Sequence, residues 1–239
     1  MAILRHFFRM KETIVTILSD GTFFLAAEAE IAIRRKHLED YIRLNPLFAS
    51  SLVPMAVRDG APEIVGRMAA ASAKAGVGPM ASVAGALAEY ALKAMIAAGA
   101  RHAVVDNGGD IAMFIDRPVI VGLYAGPSRV RNLGLRFEPR DRIFGVCTSS
   151  STVGPSLSFG RADAAVVISE DVMLADATAT ALGNALSQEN PERIGETLDR
   201  LRLPGIEGLM AVMGNLVGTC GVLPEIIRAR VDYDLITKG

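Results

Sequence analysis

RHAVVDNGGDIAMFI, residues 101–115, decides the fold. Apolar runs flank a polar centre, and Asn-Gly supplies the positive backbone dihedrals that a two-residue hairpin turn needs, so the stretch reads as strand, tight turn, strand. An alanine-rich helix over about residues 80–98 precedes it. The same order recurs near the C-terminus, where GIEGLMAVMGNLVG (205–218) places Gly214-Asn215 between two apolar runs behind a helix starting at Pro191. This recurrence of helix, strand, glycine turn and strand predicts α+β architecture: internally duplicated α/β layers with mixed, largely antiparallel sheets. The expectation is one domain over residues 1–239, built from two pseudo-repeated subdomains.

Outward from that hairpin, residues 13–18 alternate as a strand, and SDGTFF (19–24) is read as a turn into a second short strand. Residues 28–43 carry apolar side chains at helical spacing and stop before Pro46. Pro62 stands where a first-turn proline belongs, so a helix runs from there to about Lys74, where AGVGP (75–79) interrupts it. Residues 119–124 form another strand, followed by a polar connection rich in Arg and Pro. RIFGVCTSS (142–150) is a strand entering a hydroxyl-rich loop, ADAAVVIS (162–169) a buried strand, residues 173–186 a helix and EIIRARV (225–231) a final strand.

With 51% hydrophobic residues in 239, the chain can bury a substantial core. Lys plus Arg number 25 against 26 for Asp plus Glu, which leaves no field to attract nucleic acid or an anionic membrane. The apolar tract 68–100 contains Lys74, Glu89 and Lys93 and breaks at GVGP, so it fails as a membrane span. Cys147 and Cys220 lack neighbouring Cys or His, and the N-terminus lacks a secretory pattern, so a reducing cytoplasm is expected. The alanine- and glycine-rich helices suit packing against a second copy, as in a homo-oligomer.

Four stretches could carry chemistry. In KAGVGPMASVAGALAEY (74–90), glycines ahead of a helix can offer amides to an anion such as a diphosphate, although the pattern is neither a Walker A nor a Rossmann fingerprint. DNGGD (106–110) sets two carboxylates around two glycines that let a ligand approach the backbone. CTSSSTVGPSLSFG (147–160) offers hydroxyls, yet no histidine stands nearby to activate a serine. His6, His37 and His102 are scattered, and His102 reads as a partly buried polar residue. In LADATATALGN (174–184), Asp176 and Thr180 share one helical face at a four-residue spacing and could converge on a cation such as Mg²⁺. Asp176 as a helix cap explains the same local sequence.

Taken in order, GVGPMASVAGALAEYAL, VVDNGGDI, CTSSS and LADATATAL resemble the ApbE superfamily, whose best-known members are FAD:protein FMN transferases. The resemblance covers about residues 75–186 and is most specific in its last motif. It implies Mg²⁺ held by Asp176, Thr180 and the backbone carbonyl of Pro79, in a T-fold-like scaffold. It also implies a flavin nucleotide, FAD, bound near Gly78, Ser82, Asn107, Gly108, Gly109, Asp110, Thr148 and Ser149. Asp110 is the candidate base, and an acceptor protein the implied partner. Two positions depart from the transferases: Ser82-Val83 stand where they have Lys-Gly, and the interval after CTSSS lacks their His-x-x-Asp-Pro. The chain therefore resembles an uncharacterised, cytoplasmic ApbE-like branch more than the transferases. The enzymatic reading is transfer of FMN from FAD to a hydroxyl or water; the alternatives are a nucleotide-binding module without catalysis and a structural subunit.

Overall fold

The computed structural model describes residues 2–126, 128–151 and 160–230. An eight-stranded sheet is its backbone, in the order β1 (Leu4–Met10), β2 (Thr13–Ser19), β3 (Ala103–Asn107), β4 (Asp110–Ile115), β7 (Arg140–Ser149), β8 (Ala164–Ser169), β9 (Ile206–Met213) and β10 (Leu216–Gly221). Every neighbouring pair in it is antiparallel. The same order of elements occurs in both halves of the sheet. The first half runs hairpin β1–β2, helices, hairpin β3–β4; the second runs hairpin β7–β8, helices, hairpin β9–β10; the β4–β7 pairing joins them.

Helices cover one face. The first half contributes α1 (Phe24–Leu44), α2 (Leu47–Ser50), α3 (Glu63–Ala75), a 3₁₀ turn (Pro79–Ser82) and α4 (Val83–Ala97); the second contributes α5 (Val172–Ala185) and α6 (Pro191–Arg200). Side chains alternate across each strand. Val105, Ala112, Cys147, Ala165 and Val167 therefore face the helices, whereas Val104, Met113, Val146, Val166 and Ile168 enter a second core. That second core is closed by a small antiparallel sheet of β5 (Val119–Leu123), β6 (Leu133–Phe137) and β11 (Glu225–Arg228), whose Leu123, Leu135 and Phe137 are buried there.

Four readings of the sequence need correction. The strand expected after SDGTFF does not form, because Phe24 already opens α1 and His6 stacks on its ring at 4.7 Å. The partner of residues 13–19 is β1, which precedes them. The Arg- and Pro-rich connection contains β6. Finally, Asn107 pairs with Asp110, so the turn residues are Gly108 and Gly109, at φ +69° and +100°. A β-carbon there would be strained, which explains the glycine pair.

The stretch Pro79–Ala97 is long and apolar enough to cross a membrane. Here it is a core element: Ala86, Leu87, Ala88, Ala91, Leu92 and Met95 are buried, and the buried Glu89 is neutralised by Arg67 at 2.7 Å and Lys93 at 2.5 Å. His102 is likewise buried, with Nδ1 3.0 Å from Asp116 Oδ1.

Candidate functional site

Asp176 is not the cap of its helix. α5 begins at Val172, and its cap is Asp171, whose Oδ1 accepts from the Leu174 amide at 3.1 Å. Asp176 sits one turn farther in and reaches across to the start of α4, where Oδ2 accepts from the Gly85 amide at 2.8 Å; the Ala84 amide also donates to the carboxylate. This crossing explains Gly85. A β-carbon there would lie 2.9 Å from both Asp176 Cβ and the Val172 carbonyl oxygen. The first turn of α4 thus lies directly against α5, and its unsatisfied amides and dipole receive the carboxylate. Burial still outweighs those amides, raising the Asp176 carboxyl to about 7.

A second carboxylate faces the first. Asp110 opens β4, opposite Cys147 of β7, and both side chains point to the helical face. Burial and the neighbouring charge of Asp176 push the Asp110 carboxyl well above the usual range, with Asp106 adding in the same direction. A hydrogen bond from the Cys147 thiol and another from the Thr148 backbone oppose that rise. Among the described residues, no Lys, Arg or His ranks with the strongest influences on either carboxyl. Two mutually repelling carboxylates with no counter-charge are costly unless a proton or a cation comes between them.

The hairpin turn forms the rim. Asp106 Oδ1 accepts from the Gly109 amide at 2.9 Å, the Gly109 carbonyl accepts from the Thr148 amide at 3.2 Å, and Asn107 donates to the Ala84 carbonyl at 3.0 Å. Asn107 thereby ties the turn to α4. Gly108 is exposed, with nothing within 4 Å of where its β-carbon would stand. Thr148 and Ser149 are half-buried at the end of β7, where Ser149 Oγ lies 3.1 Å from the β-carbon position of Gly183 on α5. Of the hydroxyl-rich stretch, residues 152–159 lie outside those described.

The glycines of AGVGP serve the fold. Gly76 ends α3 in the left-handed region at φ +73°, and a β-carbon on Gly78 would lie 1.8 Å from the Ser51 carbonyl oxygen. Ser82 is fully buried. Its hydroxyl turns inward, donating to the carbonyls of Pro79 at 3.0 Å and Met68 at 3.3 Å, while Ser72 also donates to Pro79 at 3.3 Å. Thr180 is half-buried one turn after Asp176. Beside α4, a cleft of about 500 Å³ opens between the β1–β2 turn and α1, lined by Arg35, Met80, Val83, Ala84, Leu87 and Asn107. The structure thus gathers the starts of α4 and β4, the middle of α5 and the end of β7 around two carboxylates.

Among the described residues no three His, Cys, Asp or Glu side chains gather as a metal set. The donors are instead mixed. The Asp176 carboxylate has four lone-pair positions and uses two on backbone amides, so it retains capacity for a hard cation. The hydroxyl of Thr180 and the carbonyl of Pro79 are oxygen donors of the same class. Each serine on Pro79 has another partner, since the two hydroxyls lie 3.2 Å apart. Sequence reasoning overlooked Gly85 and Cys147, whose roles exist only once α4, α5 and β7 meet.

A protein-family profile described as "AbpE bacteria" matches residues 5–197, well over half of the chain. The chain belongs to the ApbE-like superfamily. A UPF0280 protein of Methanocella arvoryzae is 50% identical over 233 residues, covering 97% of this chain and 94% of that protein. Another, from Methanococcoides burtonii, is 47% identical over 239 residues, covering 99% and 100%. Among solved structures, the flavinyl transferase ApbE of Pseudomonas stutzeri superposes with a TM-score of 0.57 at 15% identity, covering 94% of this chain and 95% of its own. The ApbE protein of Thermotoga maritima gives a TM-score of 0.58 at 13% identity and covers both chains fully, at 100%. These two likenesses establish a shared ApbE fold of helices and antiparallel sheets.

Proposed function

We propose that this ApbE-like chain is a Mg²⁺-dependent flavin-nucleotide enzyme that splits FAD and passes its FMN half to a hydroxyl acceptor, on a protein, or to water. The observation that carries the reading is the facing pair of half-buried Asp110 and buried Asp176 beside the start of α4, neither with an ion-pair partner among the described residues. Asp176, Thr180 and the Pro79 carbonyl would hold the cation, which supplies Lewis acidity and neutralises diphosphate charge. The open Gly108–Gly109 turn leaves room for a nucleotide backbone. The cleft beside α4, at about 500 Å³, falls in the size range of small-molecule pockets.

In the reaction proposed, the acceptor oxygen bonds to the FMN phosphorus as the bond to AMP breaks. Asp110, in its ionised form, takes the acceptor's proton, and AMP leaves. Glycines ahead of a helix suggest a diphosphate near AGVGP. Because Asp176 occupies the Ala84 and Gly85 amides and Gly76 and Gly78 serve packing, we place the charged part of the ligand closer to the carboxylate pair. Two free cysteines are in keeping with a cytoplasmic setting.

A second reading, a nucleotide-binding module without turnover, is favoured by one specific feature: Ser82-Val83 in place of the transferases' Lys-Gly. Equilibrium dialysis of FAD with and without Mg²⁺, with AMP assayed in the retentate, separates the two. Mg²⁺-dependent binding with AMP release is expected. Binding without AMP leaves the module, and no FAD binding under any metal condition removes the flavin altogether.

A further inference from the structure

Cys147 is buried among the groups just described, and the reaction outlined above gives it no part. Its position follows from its neighbours. Gly145, two residues earlier on β7, lets the start of α5 come close: a β-carbon there would lie 2.9 Å from Val172 Cγ1 and 3.1 Å from Val172 Cα. The next side chain on that face is Cys147, fully buried, with Sγ 3.6 Å from the Val172 carbonyl oxygen. Its cross-strand partner is Asp110. The thiol therefore has two acceptors for one hydrogen: a carbonyl at the head of the helix that carries Asp176 and Thr180, and the carboxylate of the candidate base.

We infer that Cys147 is a positioning residue for Asp110, its S–H holding the carboxylate of β4 in register with α5. The inference rests on the proposed function for its kinetic consequence, but not for the bond itself. The Asp110 carboxyl is stabilised in its ionised form by this thiol, while the thiol, buried beside two carboxylates, is pushed well above its usual range and stays protonated. A protonated thiol is the state that donates. Serine at this position would keep a donor in a smaller side chain, alanine would keep neither donor nor size, and the difference between the two isolates the hydrogen bond from the packing.

The test has two arms. The first reads the S–H stretching band by Raman spectroscopy in a Cys220→Ser background, which leaves Cys147 as the sole thiol. The band is expected at the lower frequency of a hydrogen-bonded thiol and should move up in Asp110→Ala. An unmoved band overturns the link. The second compares Cys147→Ser with Cys147→Ala for AMP release from FAD. Alanine is expected to lower kcat about tenfold while KM for FAD changes less than about threefold, and serine to restore most of the loss. Equal turnover by the two variants overturns the positioning role. If the unaltered protein releases no AMP, the transferase reading fails, and the Raman comparison decides the thiol link by itself.

Discussion

The two glycine turns, one in each half of the sheet, stand at the same end of the strands, yet they are treated differently. In the second half, the Gly214-Asn215 turn is sealed by the protein itself: Asp163 Oδ2 accepts from the Gly214 amide at 2.7 Å, Glu189 Oε1 from the Asn215 amide at 3.0 Å, and the Gly214 carbonyl accepts from Ser128 at 2.7 Å. Beside the first turn, Gly108 faces open space, and Asp110, just after it on β4, opposes Asp176 of α5. One turn has its polar groups matched, and the other keeps unbalanced charge beside an opening. The two halves share a hairpin–helices–hairpin order, and the facing carboxylates lie beside the turn that has room for a ligand.

The sharpest way to break this comparison is to neutralise the carboxylate pair beside the first turn. Asp176→Asn keeps an oxygen to accept from the α4 amides but removes the charge. AMP release from FAD should fall about 100-fold or more, and the variant should lose the rise in Tm that Mg²⁺ gives the unaltered protein. At a metal concentration 100 times Kd that rise corresponds to about 2.7 kcal/mol. A variant that melts like the parent in both EDTA and Mg²⁺ would mean that Asp176 holds no cation.

The same substitution carries a pH signature in EDTA. The Asp176 carboxyl is raised from 3.8 to about 7 by burial, so between those values the folded protein binds more protons than the unfolded chain. Stability contributed by this group is therefore greatest at low pH and declines as pH rises through the window, opposite to an ordinary salt-bridged aspartate. Asp176→Asn lacks the titration. Denaturant melts from about pH 4 to about pH 8 should show the variant gaining on the parent as pH rises, and parallel curves would contradict a buried, metal-free carboxylate.

Much of this scaffold is legible in the chain, and the reasons it is not wholly so are physical. The β3–β4 and β9–β10 hairpins announce themselves because apolar runs flank glycine turns. The edge strand β1 does not, since Arg5, His6 and Arg9 interrupt its apolar residues and most of it is exposed or half-buried. A five-residue strand such as β6 is too short to show a period inside an Arg-rich segment. At the site, Asp176 was visible but its partner was not: Gly85 lies 91 residues away, and only the packing of α4 on α5 joins them. The cap reading of Asp176 fails because α5 already starts at Val172, so the cap is Asp171, five residues earlier.

Smaller changes sharpen the contrast between the turns. Alanine strains either glycine, at φ +69° for Gly108 and +58° for Gly214. Strain of this kind costs about 1–2 kcal/mol. At Gly108 nothing else is disturbed, whereas at Gly214 the new methyl would lie 2.2 Å from Glu189 Oε1. Gly214→Ala should therefore unfold at lower urea concentration than Gly108→Ala, by about 1 kcal/mol more, because Glu189 must swing away and release the Asn215 amide. Equal losses would mean that the Glu189 contact adds nothing.

Glu189→Ala probes that contact without backbone strain. Its carboxylate accepts from an exposed amide that water can satisfy in its place, so the loss should be only about 0.5–1 kcal/mol in urea unfolding. The informative comparison is with ligand binding. Removing Glu189 opens the second turn as the first is open, but it leaves no facing carboxylate pair behind it. FAD binding and its Mg²⁺ dependence should stay as in the parent. A second FAD equivalent bound by Glu189→Ala would show that an open glycine turn is enough, and that the carboxylates beside the first turn are not what distinguishes it.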